Sequence, residues 1–133
     1  MIKVHQGVDI VEISKFREVL ERNRRFIFDI FTVEERAYCQ SMKDPVLHFA
    51  GRFAAKESYV KALGTGFSGG IDALFQEIEV VRTASGRPEI SVSGWAEKIA
   101  QKKKIHYSSV SISHASQYAV SSVILVGDEE REE

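Results

Sequence analysis

A single cysteine, two prolines and no hydrophobic run of bilayer length set the first limits on this chain of 133 residues. The lone Cys39 excludes an intramolecular disulfide framework and a zinc site built on cysteines. No apolar stretch approaches the roughly 18 residues that a membrane-spanning helix needs. The start, MIKVHQGVDIVEI, lacks the basic region, apolar region and small-residue cleavage site of a signal peptide. Together these absences give the expectation of a soluble, cytoplasmic protein. Internal repeats and linkers are missing too. So is the phosphate-loop pattern GxxxxGK[ST], which weighs against a nucleoside-triphosphate phosphotransferase of that type. Net charge is nearly absent, at −1, but it is unevenly spread. Residues 127–133, GDEEREE, carry five acids and one arginine, which leaves a mildly basic body of +3. A surplus that small does not argue for nucleic acid, but it suits an acidic partner.

What is present is a core. Hydrophobic residues make up 44% of the chain, enough for one domain over residues 1–126 followed by a disordered acidic tail over 127–133. Residues 2–13 read as a strand. Ser14 is placed to cap a helix over 15–23, and Phe26 to Phe31 forms an apolar turn or short helix. Thr32 and Glu35 have capping-box spacing, which predicts a helix from Val33 to about Met42. Pro45 suits a first helical turn, and the helix it opens runs to Leu63 and stops at Gly64. A glycine-rich loop follows. Strands are expected over 76–82 and 89–93 around the turn TASGRP, then a helix over 95–104 and strands over 110–114 and 118–126. Helices first and hairpins later make an α+β domain with an antiparallel sheet.

Two carboxylates stand in apolar settings. Asp9 interrupts GVDIVEI, a stretch otherwise suited to a buried strand, and a buried carboxylate is costly unless it is paired. Glu57, at about 100° per residue, falls between Ala50 and Phe53 on the apolar side of its helix, with Lys56 near the edge of that arc. Lys61 lies four residues on, so one reading is a simple Glu57–Lys61 pair. The other is that Asp9 and Glu57 share a hard cation. Magnesium is usually held by one or two carboxylates completed by phosphate oxygens and water.

The loop Gly64-Thr65-Gly66-Phe67-Ser68-Gly69 matches GxGxxG, but it follows a helix rather than a strand. A helix stop is therefore the better reading than a dinucleotide fingerprint. Its glycines would still let a phosphate approach the backbone, within reach of Lys61. Ser113 and His114 end a strand, as structural residues or as ligands of a phosphate or ribose. Lys15, Arg17, Arg22, Arg24 and Arg25 crowd one short segment against Glu18 and Glu21. They form either a solvated helix face or a steering patch for an acidic protein.

Taken together, GVDIVEI, FAGRFAAKESYVKALGTG and SVSISHASQYAVSSVIL resemble, in order and spacing, the bacterial holo-acyl-carrier-protein synthases. These are short, single-unit 4'-phosphopantetheinyl transferases, and the likeness runs from about Ile2 to Val126. The resemblance implies an α+β, usually homotrimeric enzyme with active sites between subunits. It would move 4'-phosphopantetheine from coenzyme A to a serine of apo-acyl carrier protein, release adenosine 3',5'-bisphosphate and support fatty acid biosynthesis. It implies Asp9 and Glu57 as magnesium ligands and Lys61 as the phosphate-contacting lysine. Arg52, Gly64, Thr65, Gly66, Ser113 and His114 would line the coenzyme A site, with Arg87 and Pro88 near the adenine. The basic helix would dock the carrier. His5 and Gln6 depart from the family pattern, and the acidic tail lies outside it, free to compete with the carrier for the basic helix. Glu57 is a candidate for the base, as is another nearby acid. The rival class is a non-catalytic module that holds a nucleotide or an acidic peptide.

Overall fold

The computed structural model describes residues 1–64 and 71–129. Its frame is one antiparallel sheet in the order β1 (Ile2–Glu12), β5 (Tyr118–Asp128), β4 (Ile105–His114). Side chains alternate across a strand. On β1, Gly7 and Val11 are buried whereas Val8 and Ile10 are exposed. Val8 pairs with Ser122 and Ile10 with Val120, so the outward residues of both strands share one open face.

The other face is covered by α4 (Pro45–Leu63), the 19-residue helix on which the domain is built. Pro45 sits in its first turn, and Gly64 ends it at φ 70°, a conformation that glycine adopts without strain. Ala50, Ala54, Ala55 and Ala62 are buried and let the sheet approach closely. Phe49, Phe31, Phe16 and Phe75 pack one part of the core, and Tyr59, Leu63, Ile78, Val123 and Leu125 another. A helix apolar around most of its circumference belongs at the centre of a domain, and α4 is there.

Shorter elements surround it: α1 (Ile13–Arg22), α2 (Phe26–Ile30), α3 (Val33–Gln40), α5 (Ile71–Gln76), the hairpin β2 (Ile78–Arg82) with β3 (Pro88–Val92), and α6 (Gly94–Lys102). The capping box at Thr32 forms as expected, with Glu35 N–H donating to Thr32 Oγ1 and Thr32 N–H to Glu35 Oε1.

Several boundaries differ from expectation. Ser14 does not cap α1. The helix begins at Ile13, whose N–H donates to Gln117 O at 2.9 Å, so the turn between β4 and β5 supplies the acceptor a cap would have given. β4 begins at Ile105 rather than Val110. Its first residues, IHYSS, are largely exposed and polar, which hid the strand. α5 was not expected, and Gln76 ends it instead of opening β2. β5 continues past Val126 to Asp128, and Glu129 N–H donates to Met1 O. The acidic end thus starts beside Lys3, which pairs with Gly127, at the far end of β1 from Glu12 and the start of α1. That separates it from Lys15 and Arg17 and counts against the idea of a tail folded onto them; residues 130–133 lie outside the described residues. Among the described residues no helix is long and apolar enough to cross a membrane.

Candidate active site

Gly7 sets the approach of β1 to α4. A Cβ there would lie 2.0 Å from Ser58 O and 2.8 Å from Ala62 N, so only glycine lets the two backbones touch. Ser58 Oγ then donates to Ser121 O at 3.1 Å, and Ser121 is the register partner of Asp9. Two residues beyond Gly7 on the same strand face, Asp9 is carried to the helix turn that presents Glu57 and Lys61.

Lys61 Nζ donates to Asp9 Oδ1 at 2.8 Å and to Val8 O at 3.2 Å. The ion pair therefore runs from helix to strand, and the intrahelical Glu57–Lys61 pair is not formed. Glu57 has no hydrogen-bond or ion-pair partner among the described residues. Its carboxyl is pushed above the ordinary range, first by burial and then by Asp9, with Lys61 opposing. Both carboxylates open onto a cleft of about 360 Å³ whose other wall includes Lys15, Phe16 and Phe53.

A second cleft, of about 160 Å³, brings Arg52, Pro88 and His114 together with Tyr38, His48 and Arg82. Arg52 is buried over the Tyr38 ring, 4.0 Å from its centroid, and its Nε has no hydrogen-bond partner among the described residues. Arg52 and Glu57 are five residues apart, so they leave α4 roughly 140° apart around its axis. One helix therefore serves two separate clefts. Arg87 belongs to neither: with Pro88 it borders a third cleft beside Tyr107 and Ser108. Ser113 is exposed on the open face of the sheet, opposite Val120, and not in the cleft of Arg52 and His114. Gly64 caps α4 with its left-handed backbone. Thr65 and Gly66 lie outside the described residues.

The basic segment is divided. Lys15 and Arg17 face local acids, Glu12 at 3.7 Å and Asp44 at 3.6 Å. Arg22, Arg24 and Arg25 are exposed, and none makes an ion pair among the described residues. Cys39 is buried and its thiol is pushed up to about 12, chiefly by burial, so it is no nucleophile near neutral pH. Sequence reasoning missed His48 and Arg82. His48 stands one helical turn before Arg52, and that i, i+4 spacing was a usable signal.

A sequence profile of the ACPS family, the 4'-phosphopantetheinyl transferase superfamily, matches residues 6–123. The chain is 41% identical over 128 residues to the holo-[acyl-carrier-protein] synthase of Caldanaerobacter subterraneus subsp. tengcongensis, covering 96% of this chain and 98% of that one. With the Koribacter versatilis enzyme of the same name it shares 43% over 120 residues, 90% and 94% of the two chains. The ACPS–CoA complex of Chronobacterium ammoniagenes has the same fold, with a TM-score of 0.83 at 31% identity over 96% and 99% of the chains. The Bacillus anthracis holo-(acyl-carrier-protein) synthase, in complex with CoA (3',5'-ADP), gives 0.76 at 33% over 96% and 100%. The chain belongs to the 4'-phosphopantetheinyl transferase superfamily.

Proposed function

We propose that this protein transfers the 4'-phosphopantetheine group from coenzyme A to a serine of apo-acyl carrier protein, releasing adenosine 3',5'-bisphosphate, as a holo-acyl-carrier-protein synthase of fatty acid biosynthesis. The observation that carries this reading is the meeting of Asp9 and Glu57 where β1 crosses α4, in a chain of this family. The pair fits magnesium. Both are hard oxygen donors, and no third histidine, cysteine or acid joins them in a metal-sized group among the described residues. Asp9 already accepts one cation there, the Lys61 ammonium. Asp9 and Glu57 would hold the ion, and diphosphate oxygens would complete it. When bound, magnesium would offset charge on the leaving bisphosphate.

The chain's own residues do the rest. Lys61 is half exposed and long enough to move from Asp9 to a phosphate oxygen without disturbing α4. Glu57, which opens onto the cleft beside Asp9, is the candidate for the acceptor of the carrier serine's hydrogen. In this reading Arg52 and His114 line the coenzyme A site, with Pro88 and Arg87 toward the base; Gly64 and Ser113 do not line that cleft within one chain, and Thr65 and Gly66 lie outside the described residues. These residues are spread over more than one cleft of a single chain. The open face of the sheet exposes Ile2, Val4, Val8, Ile10, Val120 and Ile124, each at least 37% accessible. Such a patch asks for cover. Both features support a homotrimer whose active sites are completed between subunits, with three chains expected by solution mass.

Incubation with coenzyme A, magnesium and apo-acyl carrier protein should raise the carrier's mass by one phosphopantetheine group, and EDTA should abolish the gain. Coenzyme A binding with no gain on several carriers would favour the non-catalytic module instead. Arg22, Arg24 and Arg25, which make no ion pair among the described residues, are the docking surface for the acidic carrier, with Lys15 and Arg17 at its edge. Reversing Arg22 and Arg25 to Glu should raise the KM for carrier by about tenfold and leave coenzyme A binding alone, with high salt acting in the same direction. An unchanged KM would move the docking surface elsewhere.

A further inference from the structure

The largest side chain of the protein stands in solvent among cations. Trp95, the sole tryptophan, is 68% exposed in the first turn of α6. A ring of that size is normally covered unless it awaits a partner. The local sequence, GWAEKIAQKKK, explains the exposure. Ala96 and Ala100 are buried, and Ile99 packs on the core from the same side of the helix. Trp95, Lys98 and Lys102 follow the i, i+3, i+7 spacing and form one outward stripe, all three exposed. The Lys98 ammonium lies 4.8 Å from the centroid of the Trp95 ring. Lys104, also exposed, continues the run in a left-handed turn at φ 57°. Nearby acids are few and turned elsewhere. Glu97 leaves the helix roughly 140° from Lys102. Glu77 is committed to the start of α6, where its Oε1 accepts from Ala96 N–H at 3.1 Å beside Gly94, whose missing side chain gives it space. Asp128 lies 4.0 Å from His106. Lys98, Lys102 and Lys104 make no ion pair among the described residues.

We propose that this stripe of α6 rests on an anionic bilayer surface, with Trp95 at the level of the headgroups and Lys98, Lys102 and Lys104 against their phosphates. Three features favour a lipid surface over a folded protein. The stripe is convex, and none of the clefts described above includes a residue of α6, so nothing shapes it in advance for an ordered partner. Its cations are lysines on long flexible stems, which suit headgroups without fixed positions, whereas arginine suits paired carboxylates. Its one large apolar group is the ring that settles where one side is apolar and the other wet. Each lysine near an anionic leaflet adds about a fivefold gain in partition, so the contact is weak and reversible. No spanning segment is involved. α6 packs beside β4, whereas α1 adjoins β1 at the other edge of the sheet. A molecule held through α6 therefore keeps the basic segment of α1 and the cleft of Asp9 and Glu57 free.

Because Trp95 is the sole tryptophan, its emission reports on this face alone. The test titrates the full chain, at low ionic strength, with vesicles of phosphatidylcholine and with vesicles in which about a third of the lipid is phosphatidylglycerol. With the anionic vesicles only, the emission should move to shorter wavelength and the protein should sediment with the lipid. Both effects should fade as salt is raised. The double variant Lys98→Glu, Lys102→Glu should lose at least about tenfold in partition while keeping its Tm and its activity on soluble carrier. Sedimentation without a change in emission places the contact on another face and overturns the proposal. An equal response to phosphatidylcholine alone overturns it too, because the lysines would then have no part. A shift caused by apo-acyl carrier protein and not by anionic vesicles makes α6 a protein-docking surface instead. No response to either vesicle at low ionic strength ends the proposal outright.

Discussion

Replacing Glu57 with Gln is expected to cut phosphopantetheine transfer by at least a hundredfold while raising the Tm of the metal-free protein. The two effects have one cause. Glu57 is partly buried, faces Asp9, and has no bonded partner among the described residues. Its carboxyl therefore prefers the proton more in the folded chain than in the unfolded one. The contribution of such a group is fully present below its unfolded pKa and is lost as the pH rises through its folded value. At pH 7.5 the ionised side chain is a net cost. Gln removes that charge at nearly constant shape, and with it the carboxylate needed for a metal or a proton.

The wild-type protein should accordingly gain Tm from this group as the pH falls from 7.5 toward 5, and Glu57→Gln should lack that part of the rise. Magnesium together with coenzyme A should raise the wild-type Tm more than that of the variant. A variant that transfers at the wild-type rate would end the role of Glu57. One that loses activity and also melts lower at pH 7.5 would show that the carboxylate stabilises the fold instead. Asp9→Ala tests the partner. It should lose transfer as well, but without the gain in stability, because Asp9 is paired with Lys61.

The carboxylate pair was legible in the sequence for a physical reason. Charge inside apolar, periodic segments is rare enough to stand out, as with Asp9 in GVDIVEI and Glu57 in the alanine-rich helix. The ends of α4 were legible because Pro45 and Gly64 restrict the backbone locally. Cross-element partners were not. The pairing of Lys61 with Asp9 instead of Glu57 depends on how closely β1 approaches α4, which only the contact at Gly7 reveals. Tyr38 of α3 and Arg82 of β2 meet Arg52 of α4 across three elements, far apart in the chain. Ser14 looked like a cap because sequence reasoning counts only local acceptors, whereas the acceptor came from Gln117. Lys56 was read as standing near the edge of the apolar arc, and here the departure was largest.

Lys56 is completely buried, and Lys56→Met is expected to be the most destabilising change considered, by about 3–5 kcal/mol. Its three donors are all used. Nζ lies 2.7 Å from Glu35 Oε1 and donates to Phe75 O at 2.7 Å and Ile78 O at 2.6 Å. Glu35 is buried too and accepts from Thr32 N at 2.9 Å and Val80 N at 2.8 Å. One ion pair thus ties the cap of α3, the middle of α4, the end of α5 and the start of β2. Methionine fills the space but strands two carbonyls and a carboxylate in the core. For a chain of this size the Tm should fall by on the order of 10–20 °C. Glu35→Gln should cost less at high pH. Burial holds the ammonium of Lys56 below the ordinary lysine range, and without Glu35 it can shed its proton while still donating to both carbonyls. A depressed lysine means that the unfolded chain binds more protons, so the stability of Glu35→Gln should climb with pH toward that range. The double variant Lys56→Met with Glu35→Leu should recover only part of the loss, because the N–H groups of Thr32 and Val80 lose their acceptor. Thermal melts of the three variants at pH 7 and pH 9 decide it. A fall of less than about 3 °C for Lys56→Met would mean that the carbonyls find water and that the pair is no clamp. A large fall, with the folded remainder slow in transfer, would extend the clamp's role to the neighbouring Glu57, whose place beside Asp9 depends on the rotation of the same helix.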